Sequence, residues 1–301
     1  MNIRTKGIVL GIVGEALYAT NSMFAVPLYS LGMSSNDVLF FCYLIATLLY
    51  GAWAAFYQKV SLKISMKEAC FLFPLGSLFS ISTLALFSSY HYIGVGVATT
   101  LLFVYPILVA IIMTVFFKEK MTLKTVSAIV LTSAGVWLLY YGKADEKLNV
   151  TGVLLSFISA LAYALYLVAI KKAAVLQKMN ERKLTFYVIA FSFLIFVVQS
   201  VLSGKGIAPI TTPVALGYVA GLAIFPTIVS LETITVVVRL IGPTTTAILG
   251  AVEPLTALLI GVFLFDEQVT VKIACGILLI LTAVTSVVLS DGKTVAKMKN
   301  D

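Results

Sequence analysis

Three carboxylic acids interrupt otherwise apolar runs of the chain: Glu15, Glu232 and Glu253. A charge at the centre of a bilayer costs at least ~2.5–3.5 kcal/mol, so acids kept at such positions are candidates for function. Each stands in a polar stripe at helical spacing. Tyr18 and Ser22 follow Glu15 at i+3 and i+7, with Asn21 beside them, and a second stripe is formed by Ser159, Tyr163 and Tyr166. Glu232 shares a face with Thr235 and Arg239, while Glu253 has Thr246 and Gly250 on its face and Pro254 directly after it. Two kinds of chemistry fit these residues. Carboxylates and rings can hold an amine or a zwitterion by charge pairing and cation–π contact, and a carboxyl removed from water can carry a proton that is exchanged for substrate. Structural roles compete at every position. Tyrosine and serine hydroxyls can join helices, Glu253 can satisfy a broken helix end, and Glu232 can pair with Arg239, although seven residues set them ~10 Å apart along a helix.

Composition says what surrounds these groups. Of 301 residues, 60% are apolar and 11% charged, with a mean hydropathy of +1.06, whereas soluble domains are nearer half apolar and about a quarter charged. An integral membrane protein is expected, because a chain of this length cannot close a core around so much apolar surface. The net charge of +8, from 21 basic and 13 acidic residues, is spread along the chain and does not point to nucleic acid. Cys42, Cys70 and Cys275 fall singly in apolar runs with no CxxC pair, so neither a disulfide nor a metal site is expected. Arg4 and Lys6 precede an apolar run from Gly7 to Leu31 that is longer than a signal-peptide core, which reads as an uncleaved first helix.

Stretches long enough to cross ~30 Å of hydrocarbon lie near 7–31, 36–57, 68–91, 94–117, 121–141, 150–170, 184–203, 213–238, 242–265 and 270–290. Only short loops separate them. Ten spans put 17 of the 21 lysines and arginines on the side of the N-terminus and only Lys143, Lys147, Lys205 and Lys272 on the other, which predicts cytoplasmic termini. Prolines at 27, 74, 106, 226 and 254 are expected to interrupt spans 1, 3, 4, 8 and 9. Gly7, Gly11, Gly14, Gly217 and Gly221 are expected to let helices approach closely.

The chain also repeats itself. At an offset of 148 residues Ile93-Gly94 falls on Ile241-Gly242, Tyr105-Pro106 on Glu253-Pro254, Phe117 on Phe265, Glu119 on Glu267 and Thr122 on Thr270. At an offset of 145, Gly7 falls on Gly152 and Tyr18 on Tyr163. Two halves of five spans each enter the membrane from opposite sides, because five is odd. Inverted repeats of this kind are the architecture of secondary transporters, whose site lies at the midplane between the halves.

The segments from Ile241-Gly242-Pro243 through Glu253-Pro254-Leu255 to Asp266-Glu267-Gln268-Val269-Thr270, with their echo from Tyr105-Pro106 to Lys118-Glu119-Lys120-Met121-Thr122, resemble the EamA repeats of the drug/metabolite transporter superfamily. The resemblance covers essentially the whole chain. It implies an all-α membrane protein of ten helices as two inverted repeats, residues 1–145 and 146–292, with 293–301 as a cytoplasmic tail. It also implies a central cavity and transport of amino acids or other small metabolites, often export. Family members often carry a tryptophan in the first helix of each half and an arginine early in the second; here Tyr18, Tyr163 and Tyr43 stand there.

The sequence therefore predicts an acidic, aromatic cavity built from Glu15, Tyr18, Asn21, Tyr105, Tyr163, Tyr166, Glu232, Thr235, Arg239 and Glu253, flexed at Pro106, Pro226 and Pro254. Its expected partners are the bilayer and a small-molecule substrate, with proton coupling and a homodimer left open, and no cofactor. An enzyme is disfavoured, since His91 is the single histidine and there is no HExxH, GxSxG or acid cluster. A channel is harder to set aside; saturable counterflow separates the two.

Overall fold

The computed structural model describes residues 2–140, 149–204, 206–265 and 271–298, and these contain helices and no strand. In chain order they are α1 (Ile3–Tyr18), α2 (Asn21–Ser30), α3 (Ser35–Ala52), α4 (Met66–Leu102), α5 (Tyr105–Phe117), α6 (Leu123–Tyr140), α7 (Val150–Lys172), α8 (Ala174–Gln177), α9 (Glu181–Ser203), α10 (Pro213–Leu222), α11 (Ser230–Ile241), α12 (Pro243–Leu249), α13 (Val252–Phe265) and α14 (Val271–Met298). Two π-helical stretches, Trp53–Tyr57 and Ala223–Val229, join this series. Among the described residues seven stretches are long and apolar enough to cross a bilayer. Expected spans 5 and 10 coincide with shorter apolar helices, Leu123–Leu138 and Ala274–Val284, and span 9 is divided into α12 and α13.

Polar residues at the membrane edges set where helices begin. Ser34 and Asp37 form a reciprocal capping box at α3, and Ser65 and Glu68 form one at α4. Asn180 caps α9 by accepting from the Arg182 amide at 2.9 Å.

Expected spans 3 and 4 are matched by the crossing stretches Met66–Ile93 and Val97–Phe117, although helical residues run unbroken through α4 across the expected boundary at 91–94. The chain nevertheless turns back inside α4. Phe79 and Tyr105 both pack on Tyr163, with ring centroids 6.5 and 5.0 Å away, whereas 26 residues of straight helix would part them by ~39 Å. In the second half the boundary is a true break at Gly242, whose φ is +84°, followed by Pro243. Val95 occupies the position of Pro243 and keeps the amide hydrogen that proline lacks, so the first half has no such stop.

Inverted symmetry is visible in single contacts. A methyl group on Gly7 would lie 2.7 Å from Ile241 Cγ2, and one on Gly152 would lie 2.6 Å from Ile93 Cγ2. Gly152 and Ile93 are the repeat images of Gly7 and Ile241, so α1 meets α11 as α7 meets α4. Gly11 and Gly14 continue the α1–α11 seam against Val237 and Thr233, Gly11 also meeting Leu249 of α12, and Gly221 lies under the Phe24 ring. Gly217 does not fulfil its expected role, since a side chain there would meet nothing within 4 Å.

Candidate functional site

Three helix interruptions bring the central residues together. The first separates α1 from α2 at Ala19-Thr20, where the Thr20 hydroxyl donates to the Leu17 carbonyl at 2.7 Å. It lies well before Pro27, which stays inside α2, just as Pro74 stays inside α4. The helix turns that surround these two prolines hold, so neither makes the expected interruption. The second break, at Phe103-Val104, makes Tyr105 the first residue of α5, and the third, at Gly250-Ala251, puts Glu253 in the first turn of α13. Pro106 and Pro254 follow these breaks at helix starts, where no amide donor is needed. The Gly250 carbonyl, which Pro254 cannot bond, accepts instead from the Glu253 amide at 2.9 Å. Glu253 thus sits at the positive end of a half-helix. Pro226 behaves differently. It widens the chain into the π-helical stretch without breaking it, and the Leu222 carbonyl it leaves free accepts from the Thr227 hydroxyl at 2.8 Å.

Tyr163 is the hub of the site. Its ring stacks on Tyr18 at 6.5 Å and 9°, meets Tyr105 edge-on at 5.0 Å and 74°, and stacks on Tyr166 at 6.0 Å and 14°. The Tyr105 hydroxyl donates to the Ala247 carbonyl at 3.3 Å and fills the space where a side chain on Gly250 would stand. Glu15 is 2% exposed and Glu253 9%. α1 packs on α13, which brings Glu15 within electrostatic reach of Glu253 and both carboxyls within reach of the Tyr18 and Tyr105 phenols. Neither is hydrogen-bonded or ion-paired to any described residue. Asn21 opens α2 and, with Tyr18, borders a cavity of about 10 Å³, room for a single water. Beside it the rings of Tyr18, Tyr163, Tyr166 and Tyr105 pack against one another at the centre.

Glu232 and Arg239 do not join this cluster, whereas Thr235 lies beside its Tyr166. Glu232 stands 3.6 Å from Arg182 Nε, whose guanidinium lies over Trp53. Arg239 pairs with Glu181 at 3.4 Å and donates to the Met179 and Leu176 carbonyls at 2.8 and 2.6 Å. The central cluster therefore has two carboxyls where three were expected around one cavity, and Glu232 and Arg239 each find a different partner, as their separation along α11 requires. Thr235 is fully buried, and its hydroxyl and that of nearby Tyr166 make no hydrogen bond. The sequence reading counted Arg182 and Lys183 only among the charges that orient the chain and did not single out Glu181 or Glu68. The signal was the opposite charge of Glu181 and Arg182 to Arg239 and Glu232. Lys183 bonds Glu68 at 3.1 Å and the Tyr187 hydroxyl donates to the Leu62 carbonyl, tying the second half to the first on the face where the N-terminus lies.

On the opposite face lies a vestibule of about 680 Å³, bordered by Ser35, Asn36, Asp37, Ser88, His91 and Gln199 among others. The Ser35 hydroxyl donates to the Phe87 carbonyl at 3.1 Å and stands 2.9 Å from His91 Nε2. Asn36 donates to Ser200 at 2.6 Å, and the Ala208 amide to Asp37 at 3.2 Å, so this face too has ties between the halves.

A profile of EamA-like transporters matches residues 5–141 and 150–289. The chain belongs to the EamA-like transporter family. It is a multi-pass membrane protein of transporter type. No curated protein matches it in sequence. One solved structure, described only as the crystal structure of a protein, aligns over 97% of this chain and 99% of its own at a TM-score of 0.80 and 16% identity, a likeness of fold alone. In this EamA-family protein the first matched stretch carries Glu15, Tyr18 and Tyr105, and the second carries Tyr163, Tyr166 and Glu253. The Asp266-to-Thr270 part of the sequence motif and the boundary at 145 lie outside the described residues.

Proposed function

We propose that this EamA-family protein is a secondary transporter that moves a small cationic or zwitterionic metabolite, an amine or amino acid, by alternating access. The observation that carries the reading is the pair Glu15 and Glu253, buried among phenol rings with no cationic partner among the described residues. Such a pair suits an ammonium group, held by the carboxylates and capped by the faces of Tyr18 and Tyr163. A proton competes with the amine for the same carboxyls, and exchange of one for the other couples their movements. The halves divide near residue 145, and the lysine-rich face is cytoplasmic, in a cell or plasma membrane. Export is the direction, by analogy with the family. Glu232 and Arg239 act in closure of the cytoplasmic face. The protein carries out no covalent chemistry.

The test is a thermal-shift screen of the purified protein against amines, amino acids, organic acids, nucleobases and sugars at pH 5.5 and 7.5, since a ligand of the folded state raises its stability. The hits then go to counterflow in proteoliposomes. Shifts confined to ammonium-bearing compounds, with saturable counterflow, are expected. Shifts with anions alone, or conductance without saturation, overturn the reading.

A further inference from the structure

The two faces of the molecule are fastened by residues that the repeat relates. On the N-terminal face Arg239, near the end of α11, reaches the start of α9, where it holds Glu181 at 3.4 Å and the Met179 and Leu176 carbonyls at 2.8 and 2.6 Å. On the opposite face His91, the image of Arg239 at the offset of 148, reaches the start of α3 and stands 2.9 Å from Ser35 Oγ. Aligning the two N-caps, Asn180 and Ser34, lays Glu181 on Ser35 and Met179 on Met33. The contacts Arg239–Glu181 and His91–Ser35 are thus images of one another.

They differ in strength. A guanidinium holds one carboxylate and two carbonyls, and charged hydrogen bonds are about twice as strong as neutral ones. The imidazole meets one hydroxyl and lies against the Tyr29 ring with centroids 4.7 Å apart, neither of them a charged partner. Met33 and Ser30, the images of Met179 and Leu176, lie on the same corner of the chain as Ser35, and no hydrogen bond joins them to His91. The strongly fastened face is the one tied shut by Lys183–Glu68. The weakly fastened face is the one holding the 680 Å³ vestibule, which His91 and Ser35 border.

We infer that Arg239 and His91 are alternating latches, and that His91 closes the vestibule by moving onto the Ser30 and Met33 carbonyls as Arg239 releases Leu176 and Met179. In an inverted repeat the second conformation arises when each half takes up the other's shape, so the bonds of one latch are the template for the other. The unequal strength of the two latches accounts for the stronger fastening of the N-terminal face in this conformation. The inference rests on the transporter reading.

The experiment exchanges the latches. Reporter thiols are placed by Ser88→Cys in the vestibule and, separately, by Val236→Cys, its repeat image on α11 beside Arg239, in a background with Cys42, Cys70 and Cys275 replaced by alanine. Alkylation rates by a maleimide are measured on detergent-purified protein, where both faces are open to reagent. His91→Arg with Ser35→Glu should slow alkylation at position 88 by about fivefold or more and speed it at 236, the range expected of a typical coupling energy. Arg239→His with Glu181→Ser should speed alkylation at 236 and slow it at 88. Lys183→Gln, which loosens a tie between the halves without touching either latch, is the control. If it moves the two reporters in opposite directions and the latch exchanges do not, the latch inference fails and alternating access stands. If no variant moves them reciprocally, the transporter reading fails with it.

Discussion

Tyr18 and Tyr163 stack ring on ring, 6.5 Å apart and 9° from parallel, although 145 residues separate them and each is the other's image in the repeat. Two residues exchanged by a two-fold operation can touch only where the axis passes between them. The pair therefore marks the pseudo-symmetry axis, and the buried carboxyls of Glu15 and Glu253 lie among the rings gathered around it. A transport site placed there has equal access to both faces, which is what a carrier requires of it.

Tyr163 should be the residue whose loss the central cluster tolerates least. Tyr163→Ala removes contacts to Tyr18, Tyr105, Tyr166 and Phe79 at once and should cost about 3–5 kcal/mol. Tyr163→Phe keeps every ring contact and should cost under about 1.5 kcal/mol. Denaturant unfolding in detergent compares the two, and similar losses would show that the rings are not what holds the centre together.

Glu15→Gln and Glu253→Gln should each leave the melting temperature unchanged or raised, because each removes a buried acid that has no partner to lose. Each should weaken binding of an ammonium-bearing ligand about tenfold or more, the scale of a lost charge-assisted bond, and each should flatten the dependence of uptake on an imposed pH gradient. Isothermal titration and proteoliposome flux give the two readouts. Undiminished binding in both variants removes the carboxyls from the site.

Gly250 is required by a neighbour across the repeat. Gly250→Ala puts a methyl group where the Tyr105 hydroxyl stands and should destabilise by about 1–3 kcal/mol through overpacking. Adding Tyr105→Phe should recover part of the loss but not all, since the ring carbon beneath the hydroxyl would still be 2.9 Å from the new methyl. A double-mutant cycle measures the coupling, and additivity within about 0.5 kcal/mol would show that the two residues do not meet.

Arg239→Gln should destabilise by about 1.5–3 kcal/mol, because its partners include two helix-end carbonyls in a partly buried place. Glu181→Gln should cost less than about 1 kcal/mol, and that cost should fall with added salt, since Glu181 is 47% exposed. Melting curves at low and high ionic strength separate them. Equal losses that both fall with added salt would mean that the carboxylate, and not the two carbonyls, is what holds Arg239.

The family, the membrane setting, the repeat and the identity of the central residues were legible in the chain itself. Hydropathy along the sequence reports where backbone can lie in hydrocarbon, because every polar group there must be satisfied within its own helix. Glycines, prolines and acids are costly in such helices, so their recurrence at 145 and 148 residues could not be mistaken for chance apolar likeness. The positions of helix breaks were less legible. Pro106 and Pro254 follow true breaks, Pro226 widens a helix, and Pro27 and Pro74 sit within helices, because whether a proline interrupts depends on which neighbour satisfies the freed carbonyl.

What only tertiary structure decided is who faces whom. Local spacing placed Glu232 and Arg239 on one stripe, yet their charges are met by Arg182 and Glu181 at the start of another helix. The same spacing suggested three acids around one cavity, and packing gathers two. Periodicity along a helix fixes direction around its own axis and is silent about the distance to a residue 60 or 140 positions away. Such distances follow from how the two halves pack through Gly7, Gly11, Gly14 and Gly152, and that packing sets two carboxyls, unpaired among the described residues, near the Tyr18–Tyr163 stack and a lattice of paired charges at one face.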